Sequence, residues 1–234
     1  MDNCPLCGSE TTVIKGCSLE LKLVAGIERF FRCGNCHSVH VPHRFHLTEE
    51  QELERYALHE NNSSDSGYRS YLSGVISSIE KLTGDISAMR VLDYGSGENA
   101  VMTRILLDRN ISAVAYDPNY YPLSSVDGAF DLIIACESSE HFRNPREEFQ
   151  RILTHLKPGG YLYCRTELLD STPYFSAWYY KNDPTHIFFY SKDTFLYLAE
   201  QFGLELIHCN GKNSILLKRI IGTLFRGRIT TKKG

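Results

Sequence analysis

Four of the eight cysteines in this 234-residue chain stand near its beginning, in two pairs of the same spacing. Cys4 and Cys7 form the first pair, and Cys33 and Cys36 form the second. Each C-x₂-C pair lets two thiolates converge on one ion, and four thiolates in a tetrahedron satisfy a structural Zn²⁺ without an open position. The spacing therefore predicts a small N-terminal zinc ribbon. A Cys₃His site that includes His37 is the main variant, and a redox pair or metal-free thiols are the alternative.

A second candidate site lies in residues 90–100, where an apolar pair is followed by an acid and two glycines. Asp93 precedes Gly95 and Gly97, and Ser96 stands between the glycines. An apolar strand that ends in a glycine-rich turn and continues into a helix commonly forms the binding site of a nucleotide-like ligand. Glycine lets the backbone turn sharply and approach the ligand closely, because it has no Cβ. The same residues also fit the dinucleotide pattern G-x-G-x-x-G/A, so the motif alone leaves the ligand undecided.

An acid also ends the next predicted strand, which runs from Ser112 to Asp117. Asp117 lies 22 residues after Gly95, counted as 117 − 95. A carboxylate at the tip of the second strand can accept hydrogen bonds from both hydroxyl groups of a ribose. The two features together favour a ligand that contains a nucleoside.

The candidate catalytic residues are two histidines and a glutamate. Glu140 and His141 follow a third apolar run, and His186 lies on a long insert, residues 167–190, that would cover the pocket. The ordinary pKa of histidine suits a base near neutral pH, and removal of a proton from a hydroxyl or amine needs such a base. The alternative roles are structural: Glu140 and His141 cap a helix or bond to the backbone, and His186 is held by hydrogen bonds.

Composition and charge restrict the class of protein. Apolar residues make up 42% of the chain and charged residues 23%, as in globular proteins. No run approaches the roughly 18 apolar residues of a membrane helix. The polar N-terminal region lacks the apolar core of a signal peptide, so we expect a cytoplasmic protein whose cysteines bind metal instead of forming disulfides. A net charge of −3 gives no general basic surface, which makes nucleic acid a less expected partner.

The elements that must position these residues alternate between strand and helix. Beyond the apolar run before Asp93, strands are predicted at 112–117, 130–136 and 161–166. Strands that alternate with helices predict a parallel sheet with right-handed crossovers.

The end of the chain departs from this alternation. Ser191 is predicted to cap a helix that runs through Phe202, with Gly203 as its stop signal. Two strands at 204–209 and 214–218 are then joined by a turn that contains Asn-Gly. An α/β sheet that ends in an antiparallel hairpin is not the plain dinucleotide-binding fold.

Two connecting helices precede the sheet. Thr48 and Gln51 form a capping box that begins a charged helix. Apolar residues at helical spacing from Tyr68 to Leu82 predict a second helix that packs on the sheet. We expect Tyr71, on this helix, to pack in the core; the alternative is that Tyr68 and Tyr71 lie at the edge of a ligand pocket.

Taken together, these motifs resemble the class I S-adenosylmethionine-dependent methyltransferases. The resemblance covers residues 68–219, and the stretches that carry it, besides the terminal hairpin, are Val91-Leu-Asp-Tyr-Gly-Ser-Gly97, Asp117-Pro118, Phe130-Asp-Leu-Ile-Ile134, Glu140-His141 and Leu156-Lys-Pro-Gly-Gly160. It implies an α/β fold with a Rossmann-like methyltransferase sheet, parallel except for its antiparallel terminal hairpin, and S-adenosylmethionine as the cofactor. The cofactor-binding residues that it implies are Tyr68, Asp93, Gly95, Ser96, Gly97, Asp117, Pro118, Cys136 and Glu137.

The chain departs from the family pattern at two places. Asn99 stands where the third glycine of the motif is usual. Only 13 residues separate Asp117 from Asp131, which is too few for a helix, a third strand and a return. We therefore expect the sheet to be shortened around its third strand and the usual acid at adenine to be missing. Side chains that would hold adenine instead are Tyr120, Tyr121 or Val126.

The chain is more closely similar to a bacterial group with an N-terminal zinc-ribbon-like segment. The stretches that carry this similarity are His46-Leu-Thr-Glu-Glu50, Tyr56, His59, Asn61, Gly67-Tyr-Arg69 and Asp183-Pro-Thr-His-Ile-Phe-Phe-Tyr190. The expected organisation is a zinc-ribbon-like module at 1–46, connecting helices at 47–84, an S-adenosylmethionine-binding domain at 85–219 and a basic tail at 220–234.

We expect the protein to transfer a methyl group from S-adenosylmethionine to an unidentified small-molecule acceptor. One alternative is an RNA or protein methyltransferase that uses the zinc ribbon as a reader. Another is a non-catalytic module that binds S-adenosylmethionine. The basic tail is read as a solvated terminus, with contact to phosphate or a membrane surface as its alternative. The oligomeric state is left open.

Overall fold

The computed structural model describes residues 2–17, 28–57, 66–122 and 126–222 of the chain. The long spacer between the two cysteine pairs predicts a hairpin at 18–27, which lies outside these ranges, as do His59, Asn61 and most of the basic tail. The strands are β1 (Thr11–Val13), β2 (Phe31–Cys33), β3 (Val39–His40), β4 (Arg90–Tyr94), β5 (Ser112–Tyr116), β6 (Phe130–Cys136), β7 (Leu156–Arg165), β8 (Phe188–Phe189), β9 (Leu204–Cys209) and β10 (Ser214–Arg219). The α-helices are α1 (Glu49–Ala57), α2 (Ser66–Thr83), α3 (Val101–Asp108), α4 (Pro145–His155) and α5 (Lys192–Phe202).

The larger sheet has six strands in the order β5-β4-β6-β7-β10-β9. Strand β4 runs parallel to β5 and to β6, and β6 runs parallel to β7. Strand β10 is antiparallel to both β7 and β9, as the terminal hairpin predicts. The α/β fold class with a parallel sheet and an antiparallel terminal hairpin is therefore confirmed.

The sheet is short at the edge formed by β5. Within the described parts of residues 118–129, no strand pairs with the outer side of β5. The chain instead makes a tight turn in which Asp117 and Tyr121 exchange two backbone hydrogen bonds of 3.0 Å. The abbreviation predicted around the third strand is thus present, and it leaves the carboxyl end of β5 open on one side.

Helices cover both faces of the larger sheet. On one face, α2 buries Leu72, Val75, Ile76 and Ile79, the residues at helical spacing in the sequence, against the sheet and α3. On the other face, α4 and α5 pack in a second apolar cluster that also takes up the cysteine-rich segment. Among the described helices, none is both long and apolar enough to span a lipid bilayer.

Helix α5 begins and ends at its predicted signals. The Ser191 side chain accepts a hydrogen bond from the backbone of Thr194, and the Thr194 hydroxyl accepts one from the backbone of Ser191. Gly203 takes a left-handed conformation at the other end. These are short-range interactions, which is why the sequence specifies them so directly.

The smaller sheet joins the cysteine-rich segment to the insert after β7. Its order is β1-β2-β3-β8, with every neighbouring pair antiparallel. Strands β1 to β3 belong to the cysteine-rich segment, whereas β8 belongs to the insert after β7. The backbone N–H of Val41 also donates to the carbonyl of Ile187 at 2.9 Å. The cysteine-rich segment is therefore hydrogen-bonded to the insert that covers the methyltransferase sheet.

Candidate active site

The first part of the site is the turn after β4. Gly95 has φ +86°, and a Cβ at this position would lie 2.5 Å from the Cβ of Ser138. The backbone N–H groups of Gly95 and Ser96 both donate to the carbonyl of Tyr116, at 2.8 and 2.9 Å. Because the conformation is left-handed and the space is filled, only glycine fits here without a shift of the neighbouring chain.

Gly97 differs from Gly95 in its surroundings. Its φ is +66°, but a Cβ built on it meets no atom within 4 Å. Its backbone N–H donates to Oδ2 of Asp117 at 3.0 Å, and the other oxygen of Asp117 accepts from the N–H of Asn119 at 2.9 Å. The turn thus fixes the carboxylate at the tip of β5 and faces open space, which a ligand can fill.

Asp93 is buried behind this turn, with 2% of its surface exposed. Its Oδ2 accepts hydrogen bonds from the N–H and the hydroxyl of Thr103, at 3.1 and 2.8 Å. Burial raises the pKa of Asp93 to about 6, and the two hydrogen bonds from Thr103 oppose that rise. The carboxylate therefore ties the end of β4 to the first turn of α3.

Asparagine tolerates unusual backbone angles, which would explain Asn99 in place of a glycine, but the left-handed backbone falls on the next residue. Ala100 has φ 43° and ψ 47°, a left-handed conformation at the N-terminus of α3, whereas Asn99 keeps a negative φ. Asparagine at 99 is thus not there to permit a left-handed backbone.

The second part of the site is a cavity of about 550 Å³ beyond the carboxyl ends of β6 and β7. Its walls include Tyr71, Glu137, Arg165, Tyr180, His186 and Asn213. The cavity adjoins the glycine turn, because Glu137 in its wall is followed by Ser138, which contacts Gly95. The two parts of the site are therefore neighbours.

Glu137 stands at the junction in a strained conformation. Its φ is +50°, which is rare for a residue other than glycine and is often found at functional sites. Its carboxylate accepts a hydrogen bond from the Tyr71 hydroxyl at 2.8 Å and lies 3.6 Å from Nε of Arg165. Partial burial, together with the negative charge of Glu140, raises the pKa of Glu137 to about 7.

Tyr71 therefore does not take the core position expected for it. The residue is 36% exposed, and its hydroxyl accepts from Nε of Arg165 at 2.7 Å while it donates to Glu137. Helix α2 is amphipathic, and Tyr71 lies at the margin of its apolar face. An aromatic side chain suits both the core and the edge of a cavity. The helical spacing of Tyr71 therefore could not distinguish between these two positions.

The three candidate catalytic residues lie together beneath the insert. Glu140 is completely buried, and its Oε1 lies 2.5 Å from the Tyr180 hydroxyl. Nδ1 of His141 lies 2.9 Å from the carbonyl of Thr185, and Nδ1 of His186 lies 2.7 Å from the carbonyl of Tyr180. The two imidazole rings are 5.0 Å apart. Residues 45 positions apart in the sequence, counted as 186 − 141, are thus brought into contact.

The insert is held over the site by an ion pair from helix α1. A guanidinium nitrogen of Arg55 lies 3.0 Å from Asp183, and Asp183 also accepts from the N–H and hydroxyl of Thr185 at 2.9 and 2.6 Å. These contacts fix the loop from which Thr185 and His186 reach the cluster.

The remaining predicted cofactor residues lie at the edges of this arrangement. Tyr68 is half-buried and stacks on Tyr71 with ring centres 6.2 Å apart. Cys136 is half-buried at the end of β6, and Pro118 is exposed after the tip of β5. Arg165 contributes to the site but was not singled out from the sequence. Tyr180 belongs to an aromatic cluster at residues 174–180, for which the sequence predicts a lid, a core or a surface that stacks on the substrate. The signal for Arg165 was a charge at the end of an apolar strand.

The four N-terminal cysteines form a separate cluster. Their sulfur atoms lie within 4.8 Å of one another, with Cys4 to Cys36 at 3.5 Å and Cys7 to Cys33 at 3.4 Å. These separations exceed the roughly 2.05 Å of a disulfide and approach the roughly 3.8 Å expected for four thiolates around zinc. The arrangement fits a structural Zn²⁺. His37 is exposed and lies outside the cluster, so the described residues do not support the Cys₃His variant.

A comparison with protein families matches a model described as a methyltransferase domain to residues 68–209, more than half of the chain. The chain belongs to this methyltransferase family. The match begins at Tyr68 on α2 and ends at Cys209 in β9, so it takes in the glycine turn, the insert and most of the cavity wall. No curated protein sequence matches the chain.

Solved structures share the methyltransferase fold at low sequence identity. A SAM-dependent methyltransferase from Archaeoglobus fulgidus has a TM-score of 0.50 and 16% identity, over 70% of this chain and 99% of the other. The plantazolicin methyltransferase BpumL, solved with a triazolic desmethylPZN analogue and SAH, has a TM-score of 0.50 and 11% identity, over 74% of this chain and 92% of its own. A possible histamine N-methyltransferase from Thermotoga maritima has a TM-score of 0.45 and 18% identity, over 73% and 95%. The first two similarities concern the fold alone.

Proposed function

We propose that this methyltransferase transfers a methyl group from S-adenosylmethionine to a small molecule that binds in the cavity beyond β6 and β7. The observation that carries the proposal is the contact between the two parts of the site: the open glycine turn meets the cavity wall at Glu137 and Ser138. When bound, the cofactor supplies an activated methyl group on a sulfonium, and transfer leaves the electron pair of the broken carbon–sulfur bond on sulfur.

The residues at the glycine turn fit the cofactor. Gly97 leaves the space in front of it free, so that a ligand can approach the backbone. Asp117 is already oriented by two backbone N–H groups, and each of its oxygens keeps a lone pair for a ribose hydroxyl. Of the three side chains expected near adenine, Val126 is buried and Tyr121 is hydrogen-bonded to Glu98, whereas Tyr120 is 40% exposed. We therefore place adenine against Tyr120.

The cavity favours a small acceptor over a polymer. Its volume of about 550 Å³ lies in the range of small-molecule sites, and residues of the insert form much of its wall. Its lining sets three acids, Glu137, Glu167 and Asp183, against two arginines, Arg55 and Arg165, and so offers no excess of positive charge to the phosphates of a nucleic acid. Tyr71 and Tyr179 offer aromatic surface to an acceptor, while Arg165 and Asn213 offer hydrogen-bond donors.

Calorimetry tests this proposal through Asp117. We expect S-adenosylhomocysteine, the demethylated product, to bind the zinc-loaded protein and Asp117→Ala to weaken that binding at least tenfold, because two ribose hydrogen bonds to a charged acceptor are lost. Asp127→Ala is the matched control, since Asp127 is an exposed acid on the same connection between β5 and β6. Binding of NADH without binding of either S-adenosyl compound would overturn the proposal.

A further inference from the structure

Glu140, His141 and His186 form a group of potential metal ligands at the inner wall of the cavity. One carboxylate oxygen and one ring nitrogen from each histidine lie within 4.8 Å of one another. His186 lines the cavity, and Glu140 is buried behind it. The group is separate from the four cysteines and brings together two nitrogen ligands and one oxygen ligand.

The hydrogen bonds of the two histidines leave the same nitrogen free on each ring. Nδ1 of His141 faces the carbonyl of Thr185, and Nδ1 of His186 faces the carbonyl of Tyr180. A carbonyl can only accept, so each Nδ1 carries the proton and each Nε2 carries a lone pair in the neutral ring. Neither Nε2 makes a hydrogen bond among the residues that the structure describes. A backbone carbonyl that fixes the tautomer in this way is the usual partner of a metal-binding histidine.

The buried carboxylate of Glu140 lacks a positive partner in the described parts of the chain. Its contacts are the hydroxyl of Tyr180 at 2.5 Å and the hydroxyl of Ser139 at 3.5 Å. Arg165, a cation on the neighbouring strand, pairs with Glu137. A carboxylate removed from water needs a counter-charge or several strong donors, because burial without them is costly. A cation beside the two Nε2 atoms would supply that charge.

We infer that Glu140, His141 and His186 bind a divalent cation whose open positions face the cavity, and that the methyl acceptor is an oxygen compound that coordinates this cation through the hydroxyl to be methylated. The second half of this inference rests on the proposed function. Two imidazoles and one carboxylate on one side of an ion leave open positions for water or substrate, and the set suits first-row divalent metals such as Mn²⁺. Ligand bonds of about 2.1 Å bring adjacent ligand atoms to about 3 Å, so the ion would draw the three side chains together.

The cation would act on the acceptor in two ways. It would hold the hydroxyl oxygen beside Glu137, next to the glycine turn, and so position the nucleophile. It would also lower the pKa of the coordinated hydroxyl, whose proton passes to water as the oxygen forms its bond to the methyl carbon. A second oxygen on the acceptor, as in a vicinal diol, would occupy a further open position and increase affinity.

Manganese binding tests the site independently of any acceptor. Protein with its cysteine cluster filled by zinc is titrated with Mn²⁺ alone, and bound Mn²⁺ is followed by electron paramagnetic resonance and calorimetry. We expect one Mn²⁺ per chain, and at least a tenfold loss of affinity in His141→Gln and in His186→Gln. His155→Gln is the matched control, because His155 is a half-buried histidine at the last position of helix α4 and lies outside this group. Glu140→Gln keeps the shape of the side chain and is expected to lose Mn²⁺ binding as well.

Each outcome of this titration decides the inference. No Mn²⁺ bound to the wild-type protein, or unchanged affinity in both histidine variants, would overturn it. Thermal unfolding of every variant, with zinc content measured, shows that a loss of Mn²⁺ comes from the ligand and not from a misfolded chain. S-adenosylhomocysteine is titrated into the same samples: binding without Mn²⁺ leaves the proposed function standing, whereas Mn²⁺ binding without S-adenosylhomocysteine contradicts the proposed function alone.

Discussion

The backbone N–H of Ile187 donates to the carbonyl of Glu140 at 2.9 Å, and this contact links the insert to the wall of the candidate active site. The carbonyl of Ile187 in turn accepts from the N–H of Val41. A continuous path of backbone hydrogen bonds therefore connects the cysteine-rich segment, the insert and Glu140. We infer that the N-terminal segment positions the insert, in addition to any contact that it makes with partners.

Loss of the zinc ligands should therefore disturb both stability and the site. We expect one Zn²⁺ per chain and its loss in Cys36→Ser. Because β3 and β8 then lose their anchor, the free energy of unfolding should fall by about 3 kcal/mol or more, which lowers Tm by roughly 10 °C for a chain of this size. Metal analysis and thermal unfolding provide the measurements.

The control for the zinc prediction is Cys209→Ser. Cys209 is half-buried in β9 and lies outside the cysteine cluster. This variant should keep its zinc and most of its stability. Freshly purified wild-type protein that contains no zinc, or a Cys36→Ser variant as stable as Cys209→Ser, would show that the cluster is not a structural metal site.

The two glycines of the turn should respond differently to alanine. Gly95→Ala places a Cβ 2.5 Å from Ser138 and also puts alanine in a left-handed conformation. We therefore expect a loss of about 3 kcal/mol in the free energy of unfolding. Gly97→Ala meets open space, so the strain of its backbone should cost only about 1 kcal/mol. Chemical denaturation measures both.

The same two variants distinguish an effect on stability from an effect on ligand binding. The methyl group of Gly97→Ala would stand in the space that we assign to the cofactor, so binding of S-adenosylhomocysteine should weaken more than tenfold in a protein that remains folded. Equal binding by Gly97→Ala and wild type would place the cofactor elsewhere.

Local signals in the sequence were enough to predict much of this fold. The capping of α5 from Ser191 to Gly203 and the turn of the terminal hairpin each depend on neighbours within a few residues. The missing strand after β5 was also predictable, because a chain of 13 residues cannot form a helix, a strand and a return.

Long-range pairing was not predictable in the same way. Strands β3 and β8 contain two residues each and are separated by about 150 positions, so neither carries a periodicity that indicates a partner. The contact of Glu140 and His141 with His186 follows from that pairing and from the ion pair between Arg55 and Asp183. The sequence offered these three as candidates for catalysis, but it contained no sign that they would meet as a group.

The buried histidine of β3 predicts a dependence of stability on pH. His40 is buried, and neither of its ring nitrogens has a hydrogen-bond partner in the described residues. Burial lowers its pKa from 6.5 to about 4, so the unfolded chain binds a proton that the folded chain does not between these values. Stability should therefore fall as the pH drops from 6.5 towards 4, by up to about 3 kcal/mol from this residue.

His40→Leu should remove that contribution. A leucine can fill the apolar site and leaves no unpaired ring nitrogen, so the variant should lose less stability than wild type between pH 6.5 and 4.5. Because acid also displaces zinc from thiolates, the comparison is made between the two proteins at each pH, with zinc content measured. If the free energy of unfolding falls equally with pH in both proteins, His40 is not the buried, neutral side chain assigned here.

A crystal structure of the protein with S-adenosylhomocysteine tests the central claim most directly. The account predicts that the ligand lies over Gly95 and Gly97, with its ribose on Asp117 and its sulfur facing the cavity at Glu137. A ligand bound away from the glycine turn, or one whose sulfur faces away from the cavity, would contradict the claim that this cavity holds the methyl acceptor.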